Sequence, residues 1–224
     1  MHVSPLEGHR KWAASYDTGP NPLLALETRL LLELLTPLEA SRVLDIACGT
    51  GRWMLWAQQQ GAGVLGIDFC AEMVLEASRK PGLAGRLSLA DACHVPVADG
   101  AVDLAICSFA LGYLASPRPA IAEMARVSRK GGRVVVTDLH PCALAAGWTR
   151  SFRSNGQVVE IDHHRHLIES WEDAAQSAGL TLDWRLDASF AEPEREIIRA
   201  AGKDSLFPEL SHLPALLGMS WIKS

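Results

Sequence analysis

Three aspartates stand beside or at the ends of successive short apolar runs. Asp45 lies in Val43-Leu44-Asp45-Ile46-Ala47-Cys48-Gly49-Thr50-Gly51-Arg52-Trp53, Asp68 closes Gly66-Ile67-Asp68, and Asp91 follows Leu89-Ala90. A carboxylate can accept hydrogen bonds from both hydroxyls of a ribose, read an amino-bearing ring edge with help from backbone, or hold a cationic tail. Gly49 and Gly51 put bare backbone where a buried strand passes into a helix, which is where open α/β sheets bind ligands. Asp68 follows Gly51 by 17 residues, close to the spacing of a ribose-binding acid in such folds. The third glycine of a dinucleotide fingerprint is missing, and Asp45 would repel a pyrophosphate. No Gly-Lys-Ser/Thr follows, so there is no Walker loop. A G-x-G alone is equally a tight turn; the three acids are what solvation does not explain.

A second set of chemical groups lies downstream. His140, in Asp138-Leu139-His140-Pro141, is the leading candidate for a base or an acceptor-orienting group, with a loop hydrogen bond as its alternative role. Of His163, His164 and His166, the imidazoles of His164 and His166 stand two residues apart, on one face of an extended chain, a spacing that metal ligands can use. Only Asp162 stands near them, no cysteine completes a ligand set, and no metal is expected. Trp148, Arg150, Phe152 and Arg153 form an aromatic and basic group, in which Arg150 or Arg153 would anchor an anionic acceptor. Tyr113 and His166 are further candidates to line that pocket.

The elements that must position these groups follow from an alternation of apolar runs with helical segments, the pattern of a doubly wound α/β sheet. Strands are expected over 42–47, 64–68, 86–90, 102–109 and 132–139, with helices over 51–60, 71–80 and 117–129 between them. Val134-Val135-Val136 and Leu104-Ala105-Ile106 are continuously apolar, as strands covered on both faces require. After Leu139 the pattern changes. Asn155-Gly156 between 148–153 and 157–161 is a two-residue hairpin signal. A helix over 167–178, a strand over 180–190, a short helix over 194–201 and an apolar run over 215–222 complete a seven-stranded mixed sheet. The divisions are a helical N-terminal lid (1–40), a core (41–140), an inserted hairpin and acceptor lid (141–166) and the rest of the sheet (167–224), all in one domain.

Composition narrows the functional classes. The 224 residues are 48% hydrophobic, enough for a packed core, and carry a formal charge of −5, the wrong sign for sequence-independent nucleic-acid binding. The five cysteines are scattered without a C-x-x-C, which fits reduced thiols in a cytoplasmic protein. No signal peptide or membrane span is expected. The seven tryptophans are candidates to line an apolar pocket, although Trp12, Trp53 and Trp56 on helices fit packing roles.

Together these residues resemble the class I S-adenosylmethionine (SAM)-dependent methyltransferases, in particular the small-molecule enzymes with a stand-alone catalytic domain. Val43 to Gly51 matches the glycine motif, Gly66-Ile67-Asp68-Phe69 the ribose motif, Asp91-Ala92 the adenine motif, and 109–114 the segment after the fourth strand. The likeness covers roughly residues 12–140 and implies a Rossmann-like sheet. It implies that Gly49 and Gly51 approach the methionine part of SAM, that Asp45 holds its ammonium directly or through water, and that Asp68 takes the ribose hydroxyls. Phe69 and Met73 would flank the adenine, Asp91 and the Ala92 amide would bind its edge, and the Ser108 or Phe109 carbonyl would face the ammonium. Tyr16 resembles a lid tyrosine over the methionine carboxylate, which Arg52 is also placed to meet. The product would be S-adenosylhomocysteine, the acceptor a small aromatic or carboxylated metabolite methylated at O, C or N, and the protein a monomer or homodimer. A catalytically silent SAM-binding regulator and a nicotinamide-dependent oxidoreductase remain as alternatives.

Overall fold

The computed structural model describes residues 1–35, 38 and 41–224. The chain opens with a two-residue strand β1 (His2–Val3), then α1 (Pro5–Trp12) and α2 (Pro22–Leu35). Strands and helices alternate through β2 (Arg42–Ile46), α3 (Arg52–Gln59), β3 (Gly63–Asp68), α4 (Ala71–Ser78), β4 (Leu87–Leu89), β5 (Val102–Ser108), α5 (Arg118–Val127) and β6 (Ser128–Leu139). There follow α6 (Pro141–Ala145), a hairpin of β7 (Arg150–Ser154) and β8 (Gln157–Ile161), α7 (Ile168–Ser177), β9 (Leu180–Ala188), α8 (Glu192–Ala200), α9 (Phe207–Leu210) and β10 (Leu216–Lys223).

The main sheet is seven-stranded in the order β4-β3-β2-β5-β6-β10-β9. Its β4, β3, β2, β5 and β6 are mutually parallel, and β10 runs antiparallel to both β6 and β9. The expected mixed sheet is therefore present, with β10 as its reversed strand. Strand side chains alternate between two buried layers. Leu44, Ile46, Ala105, Cys107, Val134 and Val136 pack with Ile121 and Met124 of α5 and Trp171 of α7. Val43, Leu104, Ile106 and Val135 pack with Leu31 of α2 and Trp53 and Met54 of α3. That two-sided burial is why the strand sequences are continuously apolar.

The insertion and the N-terminal segment together add a feature the sequence reading did not contain. The Asn155-Gly156 hairpin forms, with both turn residues at positive φ (49° and 78°) as a type I′ turn needs. It lies outside the main sheet, as an insertion does. It builds a separate three-stranded sheet with β1, which pairs in parallel with β8 through His2–Glu160 and Val3–Ile161. The N-terminal segment is thus not purely helical, because its first residues belong to the same small sheet as the insertion. The boundary placed at residue 40 lies outside the described residues.

Candidate active site

The direction of strand addition reverses between β2 and β5: β3 and β4 add on one side of β2, and β5, β6 on the other. The carboxyl ends of strands that diverge in this way leave a crevice. Here it is a cavity of about 490 Å³, floored by the ends of β2, β3, β4 and β5 and roofed by α1, the start of α2 and β7. Its volume falls in the range of roughly 300–1,000 Å³ typical of small-molecule sites.

The chain leaves β2 through Ala47 and Gly49 at φ 56° and 53°, and leaves β5 through Phe109 at φ 53°. All three line the cavity. Positive φ costs a residue with a side chain conformational energy, and such positions concentrate at ligand sites. At Gly49 a Cβ would meet no atom within 4 Å, so its missing side chain leaves open space in the cavity wall.

Asp68 is buried and lines the cavity, with Oδ2 accepting the Gly49 N–H at 2.8 Å and Oδ1 the Cys70 N–H at 2.8 Å. These bonds fix the carboxylate between the glycine turn and α4. Burial raises its pKa, partly offset by these two amides. Asp91, which also lines the cavity, is more exposed; it accepts the Cys93 N–H at 2.8 Å and lies 3.9 Å from His94. Tyr16, Gly49, Phe69, Met73, Ala92, Ser108 and Phe109 line the same space, as does Tyr113.

Several expected residues sit elsewhere. Asp45 does not line the cavity. It is 2% exposed, behind the lining, and burial pushes its carboxyl up to about 8. Gly51 also lies behind the lining, where a Cβ would stand 2.8 Å from Leu83. Arg52 bonds Glu27, Thr28 (2.9 Å) and Ser108 (3.3 Å) instead of facing the cavity. The Phe109 carbonyl accepts from Arg150 at 3.1 Å, which leaves Ser108 as the freer of the two carbonyl candidates.

His140 is likewise outside. Its Nδ1 accepts the Cys142 N–H at 3.0 Å, capping α6, and its Nε2 meets Asp187 at 2.8 Å. With both ring nitrogens engaged and 4% of the residue exposed, it ties the start of α6 to β9. Arg150 does line the cavity, but its guanidinium is ion-paired to Asp138, bonded to the Phe109 carbonyl and laid 4.6 Å over the Tyr113 ring. It is not a free anchor for an anion. Arg153 is exposed on the outer side of the hairpin, Trp148 stacks on Phe190 at 6.0 Å, and His166 bonds the Leu114 carbonyl at 2.9 Å; none lines the cavity. His163 bonds the Ile161 carbonyl at 3.2 Å. Among the described residues no three His, Cys, Asp or Glu side chains gather as a metal site.

Two residues were missed by the sequence reading. His9 projects from α1 into the cavity; the signal was its recurrence with Trp12 and Tyr16 at spacings of three and four, one helical face. Glu27, fully buried on α2, accepts from Arg52, Ser108 (2.7 Å) and Thr137. Its signal was an acid on the buried stripe shared with Leu31 and Leu35.

Residues 44–136 match the family model described as a methyltransferase domain. The chain is 31% identical over 146 residues to a malonyl-[acyl-carrier protein] O-methyltransferase of Hamiltonella defensa, covering 65% of this chain and 54% of that protein. It is 36% identical over 137 residues to the ubiquinone/menaquinone biosynthesis C-methyltransferase UbiE of Bdellovibrio bacteriovorus, covering 57% and 58%. The matched region thus spans little more than half of these relatives. A putative S-adenosylmethionine-dependent methyltransferase from Listeria monocytogenes superposes with a TM-score of 0.71 at 20% identity, over 90% of this chain and 99% of that one. The doubly wound seven-stranded sheet agrees with these likenesses, and residues 44–136 of the chain carry a methyltransferase domain of the class I SAM-dependent type.

Proposed function

We propose that the cavity binds SAM along its sheet-side floor and a small-molecule acceptor beneath the α1 and β7 roof, and that the chain catalyses methyl transfer between them. One observation carries this reading: Asp68, Asp91 and the lid side chains line one continuous cavity. The donor set suits the cofactor. Asp68 and Asp91 offer acceptors for hydroxyl and amino groups, Phe69 and Met73 offer apolar faces for a ring, and Gly49 leaves open space in the wall.

When bound, SAM supplies an electrophilic methyl group on a sulfonium whose departure as a neutral thioether needs no acid assistance. The protein's task is then alignment and exclusion of water, since an in-line displacement is accelerated chiefly by holding the reactants at near-attack distance. Trp12, Leu23, Leu24, Tyr113, Leu114 and Leu139 supply an apolar wall on the acceptor side. Among the described residues that line the cavity Arg150 is the only Lys or Arg, and it is paired with Asp138. An uncharged aromatic acceptor therefore fits better than a carboxylated one.

The test is transfer of radiolabelled methyl from SAM to a panel of phenols, hydroquinones, amines and carboxylates. Methylated product from the uncharged aromatic members supports the proposal. SAM binding without transfer to any class would favour a silent regulatory domain.

A further inference from the structure

The cavity contains an imidazole whose two nitrogens are chemically distinguished by the fold. His9 lies on α1, and its Nδ1 is 2.7 Å from the Pro5 carbonyl. A carbonyl oxygen only accepts, so Nδ1 carries the proton and Nε2 is left with its lone pair. No protein group among the described residues hydrogen-bonds that nitrogen. The ring is clamped edge-on against Tyr113 (centroids 4.9 Å, 88°) and Phe69 (6.3 Å, 70°). It therefore sits between the segment after β3 and the segment after β5, where the two halves of the cavity meet.

Resting on the methyltransferase reading above, we propose that His9 Nε2 is the general base of this enzyme and that the acceptor reacts through an un-ionised aromatic or enolic hydroxyl. The acceptor's O–H proton passes to Nε2 as its oxygen bonds to the methyl carbon. The carbon–sulfur bond breaks with its electron pair leaving on sulfur. His9 finishes as an imidazolium and returns the proton to water.

On the elements packed against α1 the charged groups are Glu72 and Glu76 of α4, Arg150 and Arg153 of β7 and Glu160 of β8, while Asp68 of β3, Tyr16 and Tyr113 line the same cavity. Glu72 lies 3.4 Å from Arg10 and Glu160 lies 3.7 Å from His2, while Arg150 pairs with Asp138. Burial holds His9 below the ordinary imidazole value; Asp68 opposes this and Arg150 reinforces it. That shift favours the neutral ring, the form able to accept a proton.

The experiment compares wild type with His9→Gln on two phenolic probes, catechol and the far more acidic pentafluorophenol, using labelled SAM. The affinity for S-adenosylhomocysteine is measured in parallel, together with the tautomer and titration of the His9 imidazole by nitrogen-15 NMR. The expected result is a loss of about 100-fold in kcat/KM on catechol, the scale of general-base catalysis. The loss should be less than tenfold on pentafluorophenol, which needs no base, with cofactor affinity held within about twofold. Wild-type kcat/KM on catechol should rise with pH through the NMR-measured His9 titration and lose that limb in the variant. Equal losses on both phenols, an Nε2–H tautomer, or a tenfold loss of cofactor affinity would overturn the role of His9. A wild type that binds SAM but methylates neither phenol overturns the acceptor class, whereas failure to bind SAM overturns the underlying reading instead.

Discussion

At the scale of single residues, burial decides which acids present charge to the cavity. Asp45 and Asp68 both belong to motifs visible in the sequence, yet Asp68 reaches the cavity held by two backbone amides while Asp45 is sealed behind it. Sequence spacing reports the strand position of a carboxylate but not the direction in which its strand is turned, so only one of the two assignments met the cavity. Because the folded-state pKa of Asp45 is raised to about 8, its contribution to stability is fully present below the unfolded value near 4 and is lost as pH rises through about 8. Asp45→Asn should therefore flatten the decline in melting temperature between pH 5 and 8 relative to wild type, as thermal denaturation across that range would show. Arg150 and Asp138 are 7% and 1% exposed and paired. Removing one partner of such a pair strands the other charge, at a cost of about 3–5 kcal/mol. Asp138→Ala should lose that much stability in urea titrations, while Arg150→Met combined with Asp138→Leu should recover a large part of it.

Elements explain why the acceptor side was less legible than the cofactor side. The central strands and helices announce themselves by local pattern, and α3, α4 and α5 lie within three residues of their expected bounds. The β1–β8 pairing joins residues more than 150 positions apart through a two-residue strand, which no local periodicity reveals. The same long-range contact brings α1 over the sheet, so His9 enters the cavity while His140, correctly placed after β6, is drawn off to α6 and Asp187. The roof depends on close approach at Gly8, where a Cβ would stand 2.6 Å from Ile161 of β8, and on Trp12 stacked 4.7 Å from Phe152 of β7. Gly8→Val should push α1 away from the hairpin and weaken acceptor binding by tenfold or more. The melting temperature should change little, because the main sheet does not rest on this contact. Steady-state KM beside a thermal scan separates the two effects.

For the whole molecule, the reversal of strand order between β2 and β5 gathers the glycine turn, Asp68, Asp91 and Phe109 into one crevice, and the small β1-β8-β7 sheet closes it. A ligand that binds only this folded arrangement stabilises it by RT ln(1 + [L]/Kd), about 2.7 kcal/mol at a hundredfold excess over Kd. For a domain of this size that corresponds to a rise of about 5–10 °C in melting temperature. SAM and S-adenosylhomocysteine should both produce it. The central claim, that the cavity floor is a SAM site built around Asp68, is tested most directly by calorimetric titration of wild type and Asp68→Ala with SAM and, separately, NAD. The expected result is saturable binding of SAM to wild type, a loss of about 2 kcal/mol in the variant because cofactor hydroxyls lose their acceptor, and no heat from NAD. Saturable NAD binding with no heat from SAM, or SAM affinity unchanged by Asp68→Ala, would contradict it.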